Sequence, residues 1–301
     1  MAIEIVPITP GFGAEIGDVD LSRPLVAEDL EAIRQAFWTY AVLVFPEQKL
    51  TAEQHLAFAA HFGPHETTIQ VYRPDKDKEL RLRKEFADVS NLDAEGRIWG
   101  RDSRTRMFQM ANRIWHTDSS FKRVPALASL LYARSIPPIG GHTEFADERA
   151  AYDALPEETK LRLQGLVAEH CIIHSRNRLG FTAFTEEERA GMPPVPQLLV
   201  RSLPQSGRKT LYLASHAGRI LGMPKAEGRA LIDELIAHAT QRQFVYTHRW
   251  RLHDLVMWDD RCTMHRGADF DDLRWPRDMQ RATVSDVANS CEQEGVQAAL
   301  A

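Results

Sequence analysis

From about residue 125 onward the chain offers only short, widely separated strand-like runs, and this spacing restricts its fold more than any other feature. The runs are Ala126–Tyr132, Phe244–Trp250, Leu255–Trp258 and Arg281–Val284. Helical patterns interrupt them near 147–168 and 226–239, the latter with Leu231, Ile232, Leu235 and Ile236. Short strands with helices inserted between them do not suit an alternating parallel βαβ sheet. They predict a mainly β fold with surrounding helices, a β-sandwich or jelly roll. A phosphate-binding loop is also missing, because Gly140-Gly141 has neither a third glycine nor a following Lys-Ser/Thr.

The N-terminal part is well patterned. Residues 28–40 place Leu30, Ile33, Phe37 and Tyr40 on one helical face, and Ala41-Val42-Leu43-Val44-Phe45 reads as a buried strand stopped by Pro46. Thr51 and Gln54 make a capping box for a helix carrying Leu56, Ala59 and Ala60, ended by Gly63-Pro64. Residues 66–110 lack clean periodicity, and charges crowd together in Arg73-Pro74-Asp75-Lys76-Asp77-Lys78-Glu79. A solvated loop is the plain reading, yet long structureless loops in compact domains often serve as lids. No repeat, low-complexity tract or Gly/Ser linker marks a boundary. Residues 1–301 therefore read as one domain with a lid-like insertion around 66–110.

Composition narrows the partners. The formal net charge of -5 over 301 residues argues against a non-specific nucleic-acid binder, which needs a basic surface. No run is long and apolar enough to span a membrane, and Met1-Ala2-Ile3-Glu4-Ile5 lacks the basic start and apolar run of a signal peptide. Cys171, Cys262 and Cys291 show no metal-type spacing, and an odd count fits a reducing compartment. The expectation is a cytoplasmic protein with neither nucleic acid nor membrane as partner.

The chemistry is concentrated in Trp115-His116-Thr117-Asp118-Ser119. On a strand or strand end, His116 and Asp118 point to the same side, because side chains alternate with period two. One imidazole and one carboxylate supply two metal ligands, and a distant histidine would complete the 2-His-1-carboxylate triad of non-haem Fe(II) oxygenases. With twelve histidines, roughly one His-x-acid pair arises by chance. His142-Thr143-Glu144 offers a second such pair, and an ordinary surface or core histidine is the commoner outcome for either. His265, after the apolar run Leu255–Trp258, is the best third ligand; a satisfied histidine beside Arg266 is its alternative. Further on, Arg277 and Arg281 share a face at spacing four. Arginine binds carboxylates bidentately and keeps its charge, which suits a dicarboxylic acid. Two surface arginines would be the choice from composition alone.

At this point the constellation resembles the taurine/2,4-dichlorophenoxyacetate dioxygenases, a family dependent on Fe(II) and 2-oxoglutarate, from about residue 12 to residue 286. The similarity is carried by Trp115 through Phe121, by Pro137 through Phe145, and by Ala150 through Leu155. Asp254 through Asp259 with His265-Arg266, and Arg277 through Thr283, complete it. The 2,4-dichlorophenoxyacetate branch looks nearer, on Glu144 through Asp147, Gly165 through His170 and His238 through Gln241.

The resemblance implies a double-stranded β-helix, a distorted jelly roll with helices outside. It implies His116, Asp118 and His265 as iron ligands, which leaves His142 and Glu144 without that role. Thr143 and Arg277 would hold the far carboxylate of 2-oxoglutarate, Arg281 the acidic group of a small organic acid substrate, and Asn112 a place in the substrate pocket. His65 is a weak further candidate. The stretch from His265 to Arg277 is one residue longer than in the relatives, within the loop Asp269–Trp275. The implied activity is a dioxygenase that consumes O₂ and hydroxylates an aryloxyacetate beside its ether oxygen, giving a phenol, glyoxylate, succinate and CO₂. A sulfonate or sulfate dioxygenase is the alternative within the family, and a non-catalytic jelly-roll binding protein is the alternative outside it. A homo-oligomer is a family-level expectation.

Overall fold

In the computed structural model, residues 3–68 and 80–293 are described. The charged run Arg73–Glu79 lies outside them. Seven strands form the larger sheet, in the order Glu4–Pro7, Ala14–Gly17, Val42–Phe45, Leu255–Asp259, Ala126–Ser135, Asp278–Ser285 and Phe86–Asp88. All neighbours run antiparallel except Ala14–Gly17 beside Val42–Phe45. A smaller antiparallel sheet, Val245–His248, Thr143–Asp147 and Thr263–Gly267, packs against it, with Phe145 5.4 Å from Trp258 between ring centres. This is the jelly roll expected from the sequence.

The central strands are largely apolar because both faces are covered. In the larger sheet Val44, Val256, Leu131 and Arg281 stand in register. Val44, Val256 and Leu131 pack with Trp258 and Phe145 between the sheets. Their alternates, Leu43, Met257, Leu130 and Ala282, also stand in register and face the helices Ala27–Tyr40 and Ala52–Ala59. Period two therefore turns Arg281 toward the interior along with three apolar neighbours. The smaller sheet obeys the same rule. Phe145 and His265 pair and face inward, whereas Ala146 and Met264 pair and meet Leu231, Ile232 and Leu235 of the helix Lys225–Ala239.

Most of the expected elements are present. Thr51 and Gln54 form the capping box, with Thr51 Oγ accepting from the Gln54 N–H at 3.2 Å. The helical pattern over 147–168 is broken, however. It yields two short helices, Glu148–Asp153 and Glu157–Leu163, and then the strand Val167–His170. Pro156 separates the helices, and Gly165, at φ +76°, makes the turn into the strand. That strand lies between Ala217–Ile220 and Val195–Leu198 in a third sheet. The 66–110 segment is only partly a loop, since Phe86–Asp88 extends the larger sheet and Arg104–Gln109 is a helix.

Two consequences for stability follow. Phe37 is fully buried under the larger sheet, so Phe37→Ala should cost about 3–5 kcal/mol, read from the urea midpoint. His55 is buried as a neutral ring: Nε2–H donates to the Leu130 carbonyl at 3.1 Å, and Nδ1 accepts from Gln280 at 3.2 Å. Burial lowers its pKa to about 3, and that of His170 likewise. The unfolded chain binds protons below about pH 6.5 while these rings stay neutral, so their contribution is complete above that pH. It is lost progressively as the pH falls toward 3. The melting temperature should decline over that window, and less steeply in His55→Gln.

Candidate active site

Trp115 through Ser119 is not a regular strand. His116 forms an isolated bridge to His265, exchanging both backbone hydrogen bonds at 3.0 and 2.8 Å. Asp118 follows in a turn, with Ser119 at φ +51°. The side chains still alternate. Thr117 Oγ donates to the carbonyls of Leu213 at 2.7 Å and Thr263 at 3.2 Å, while His116 and Asp118 face a common cleft. His265 does not stand at the end of the strand Leu255–Asp259. It sits mid-strand in Thr263–Gly267, and the bridge brings it beside His116 with ring centres 4.2 Å apart.

One donor atom from each of His116, Asp118 and His265 lies within 4.8 Å of the others. His116 Nε2 is 3.8 Å from Asp118 Oδ1, and His265 Nε2 is 3.6 Å from Oδ2. The His116 Nδ1–H donates to the Ile114 carbonyl at 2.8 Å, which leaves the Nε2 lone pair facing the cluster. Burial lowers the pKa of both imidazoles, so they are neutral and able to ligate. Burial alone would raise the Asp118 carboxyl; its partners, the Arg281 guanidinium first among them, outweigh it and hold the group below its ordinary range. Ser129 Oγ donates to Oδ2 at 3.0 Å and Arg281 Nη1 to Oδ1 at 2.6 Å. Two neutral imidazoles and one ionised carboxylate, converging from buried backbone, fit a divalent metal ion.

The competing pair is turned away. Glu144 stands opposite Arg266 in the smaller sheet, on the face away from Phe145 and His265, and accepts from its Nε at 2.7 Å. His142 precedes that strand, half-buried. Thr143, by alternation, is buried and accepts from Trp250 Nε1–H at 3.0 Å.

Arg277 is also buried, and no acidic side chain pairs with it among the described residues. Its Nε donates to the Gly141 carbonyl at 3.3 Å, and burial lowers its pKa to about 10, still charged at neutral pH. Gly141 lies at φ +68°, and a Cβ there would run into the Pro137 ring, so only glycine presents that carbonyl without strain. A buried guanidinium lacking a counter-ion fits a carboxylate ligand.

The cleft in front of the three-residue cluster encloses about 850 Å³, its open mouth included. Val89, Phe108, Phe121 and Ile172 form its apolar wall, and Asn112, Arg281, Arg176 and His216 supply polar groups. Asn112 also borders the adjoining space in front of Arg277. There Asp272, in the loop after Thr263–Gly267, accepts from Arg106 at 3.0 and 3.1 Å and from Arg113 at 2.9 Å. His65 is off the cleft lining, in a bridge to Val284. His216 and Arg176 escape sequence reasoning. His216 has no acid at spacing two to mark it. Arg176 did leave a signal, since it follows Ile172 by four on the helix Ile172–Asn177, and both line the cleft.

Comparison with known proteins now decides the family. Residues 4–283 match the family described as taurine catabolism dioxygenase TauD, TfdA family. The chain belongs to the TauD/TfdA dioxygenase family. The α-ketoglutarate-dependent 2,4-dichlorophenoxyacetate dioxygenase of Cupriavidus pinatubonensis is 45% identical, over 96% of this chain and 99% of that protein. The (S)-phenoxypropionate/α-ketoglutarate dioxygenase of Sphingobium herbicidovorans is 36% identical, over 90% and 91%. The crystal structure of AAD-2 in complex with Mn(II) and N-oxalylglycine superposes with a TM-score of 0.88 at 47% identity, covering 97% of this chain and 100% of that one. As a member of the TauD/TfdA dioxygenase family the protein is an oxidoreductase, and the non-catalytic alternative falls away.

His265→Ala should reduce Fe(II) affinity at least a hundredfold by equilibrium titration. His142→Ala should leave it within twofold, and the reverse pattern would refute the ligand set.

Proposed function

We propose that the protein is an Fe(II)- and 2-oxoglutarate-dependent dioxygenase that oxidises an aryloxyacetate. The carrying observation is the cleft itself: an apolar, partly aromatic wall facing a His-Asp-His cluster with Arg281 beside it. Names borne by the relatives, acting on 2,4-dichlorophenoxyacetate and phenoxypropionate, point the same way.

His116, Asp118 and His265 would hold the iron, and their open side faces the cleft. Bound together, Fe(II) and 2-oxoglutarate supply the activation of O₂ and the oxidation of a C–H bond. Arg277 and Thr143 would fix the far carboxylate of 2-oxoglutarate. Arg281 holds Asp118 through Nη1 and has a buried Nε without a partner; it would draw the substrate's acid toward the metal side. Asn112 lies between the two compartments and positions the substrate. Hydroxylation of the carbon beside the ether oxygen gives a hemiacetal that collapses to a phenol and glyoxylate, while 2-oxoglutarate leaves as succinate and CO₂. The apolar wall excludes water from the reacting carbon.

A sulfonate such as taurine is the second reading, since a guanidinium accepts either anion. Taurine also carries an ammonium group, and the cleft has no free acid for it. Among the described residues Glu66 is taken by Lys122 at 2.6 Å, Asp88 by Arg81 at 2.6 Å and Glu85 by Arg83 at 3.5 Å. The three cysteines are unpaired, in keeping with a cytoplasmic enzyme. Among the described residues no helix is long and apolar enough to cross a membrane. A homo-oligomer remains part of the proposal on family grounds.

Phenol release from phenoxyacetate should exceed sulfite release from taurine by at least tenfold; sulfite without phenol would overturn the substrate. Breaking a buried ion pair costs about 3–5 kcal/mol, so Arg277→Ala should weaken 2-oxoglutarate binding by orders of magnitude with Fe(II) retained. An unchanged 2-oxoglutarate titration would refute that role.

A further inference from the structure

Arg176 is a second guanidinium in the substrate cleft, and it has been given no task above. It is buried, and no acidic side chain lies within ion-pair distance among the described residues. Its Nε has no hydrogen-bond partner, and its plane sits over Phe108, 4.5 Å from the ring centre. Burial pushes its pKa down to about 9, so it remains charged at neutral pH. A buried, unpaired charge is costly unless an opposite charge completes it.

The hydrogen bonds around Ser175 show how the group is aimed. Ser175 Oγ donates its one proton to the Ile172 carbonyl at 2.8 Å. It must therefore accept from both of its other neighbours, Arg176 Nη1 at 3.1 Å and His216 Nδ1 at 2.9 Å. With this bond direction His216 is assigned the Nδ1–H tautomer, and burial keeps that ring neutral. Its remaining ring nitrogen can then only accept, so His216 cannot donate a hydrogen bond to a carboxylate. Arg176 is the cationic donor at this end of the cleft. The acids lining the cleft are taken elsewhere, Glu66 by Lys122, Asp88 by Arg81, Glu85 by Arg83 and Asp118 by Arg281, and none is within ion-pair distance of Arg176 among the described residues.

We propose that Arg176 is a specificity-determining residue that binds the substrate's carboxylate together with Arg281, with the aryl ring laid along Phe108 and Phe121. The proposal rests on the aryloxyacetate reading and sharpens it: the enzyme selects the anion, and selection comes from two guanidinium groups in place of one. Ser175 is a positioning residue that holds Arg176 in place. Neutral aryl ethers of the same shape are rejected because they leave Arg176 buried without a counter-charge.

The test is equilibrium binding, by calorimetry, to protein loaded with Mn(II) and 2-oxoglutarate. Phenoxyacetate is compared with its neutral isostere phenoxyacetamide. The wild-type protein should prefer the acid by at least a hundredfold. Arg176→Gln should lower that preference at least tenfold, with 2-oxoglutarate affinity and melting temperature unchanged, and Arg176→Lys should restore part of it. Should Arg176→Gln fail to fold, Ser175→Ala serves in its place, with a smaller loss of preference and a raised KM at nearly constant kcat. A preference equal to wild type in a folded Arg176→Gln, or in Ser175→Ala where that variant stands in, would overturn the role of Arg176 and leave the function standing. Failure of the wild-type protein to bind any aryloxyacetate would overturn the substrate reading, and this inference with it.

Discussion

The two backbone hydrogen bonds exchanged by His116 and His265 hold the site together. They tie an irregular segment outside the larger sheet to the middle of Thr263–Gly267, an edge strand of the smaller one. Neither histidine has to be steered by its own side-chain contacts, because the peptide groups set both Cα positions. Asp118 then follows by a turn, with Thr117 anchored on the far side by two carbonyls. The cluster is thus a property of the main chain, and its side-chain partners refine direction more than place.

Packing supplies the second half of that frame. The strand Asp278–Ser285 lies with Met279 and Ala282 in apolar surroundings, and this register leaves Arg281 no choice of face. A slip by one residue would move it to the helix-covered side and put Gln280 or Ala282 against Asp118. The charge in the interior is tolerable because Asp118 meets it directly, in the manner expected of buried charges.

Much of this was legible in the chain. Apolar runs marked the central strands because both faces of the larger sheet are covered, and the Thr51/Gln54 pair marked a helix start by local chemistry alone. His116 and Asp118 declared themselves by period two, although the segment proved to be a bridge and turn. Other features were hidden for physical reasons. Pro156 and Gly165 break the 147–168 pattern into helix, helix and strand, a division that apolar periodicity does not register. His142-Thr143-Glu144 and His116-Thr117-Asp118 have the same form, and only tertiary structure separates them: sheet register turns Glu144 outward, while a bridge and a turn bring Asp118 inward. His216 enters the cleft through tertiary packing with nothing beside it to announce it, and Arg176 is marked only by its helical spacing from Ile172.

Asp272 has a consequence of its own. It accepts from Arg106 and Arg113 at the two ends of the short segment that carries Phe108 and Asn112, so one carboxylate fastens the cover of the substrate space to the loop beside Arg277. The two compartments consequently share a roof beam. A ligand that ordered this cover from one side would be coupled to the other, and reciprocity would make the coupling equal in either direction. Order of arrival would then be a matter of kinetics, with the thermodynamic gain the same in either sequence.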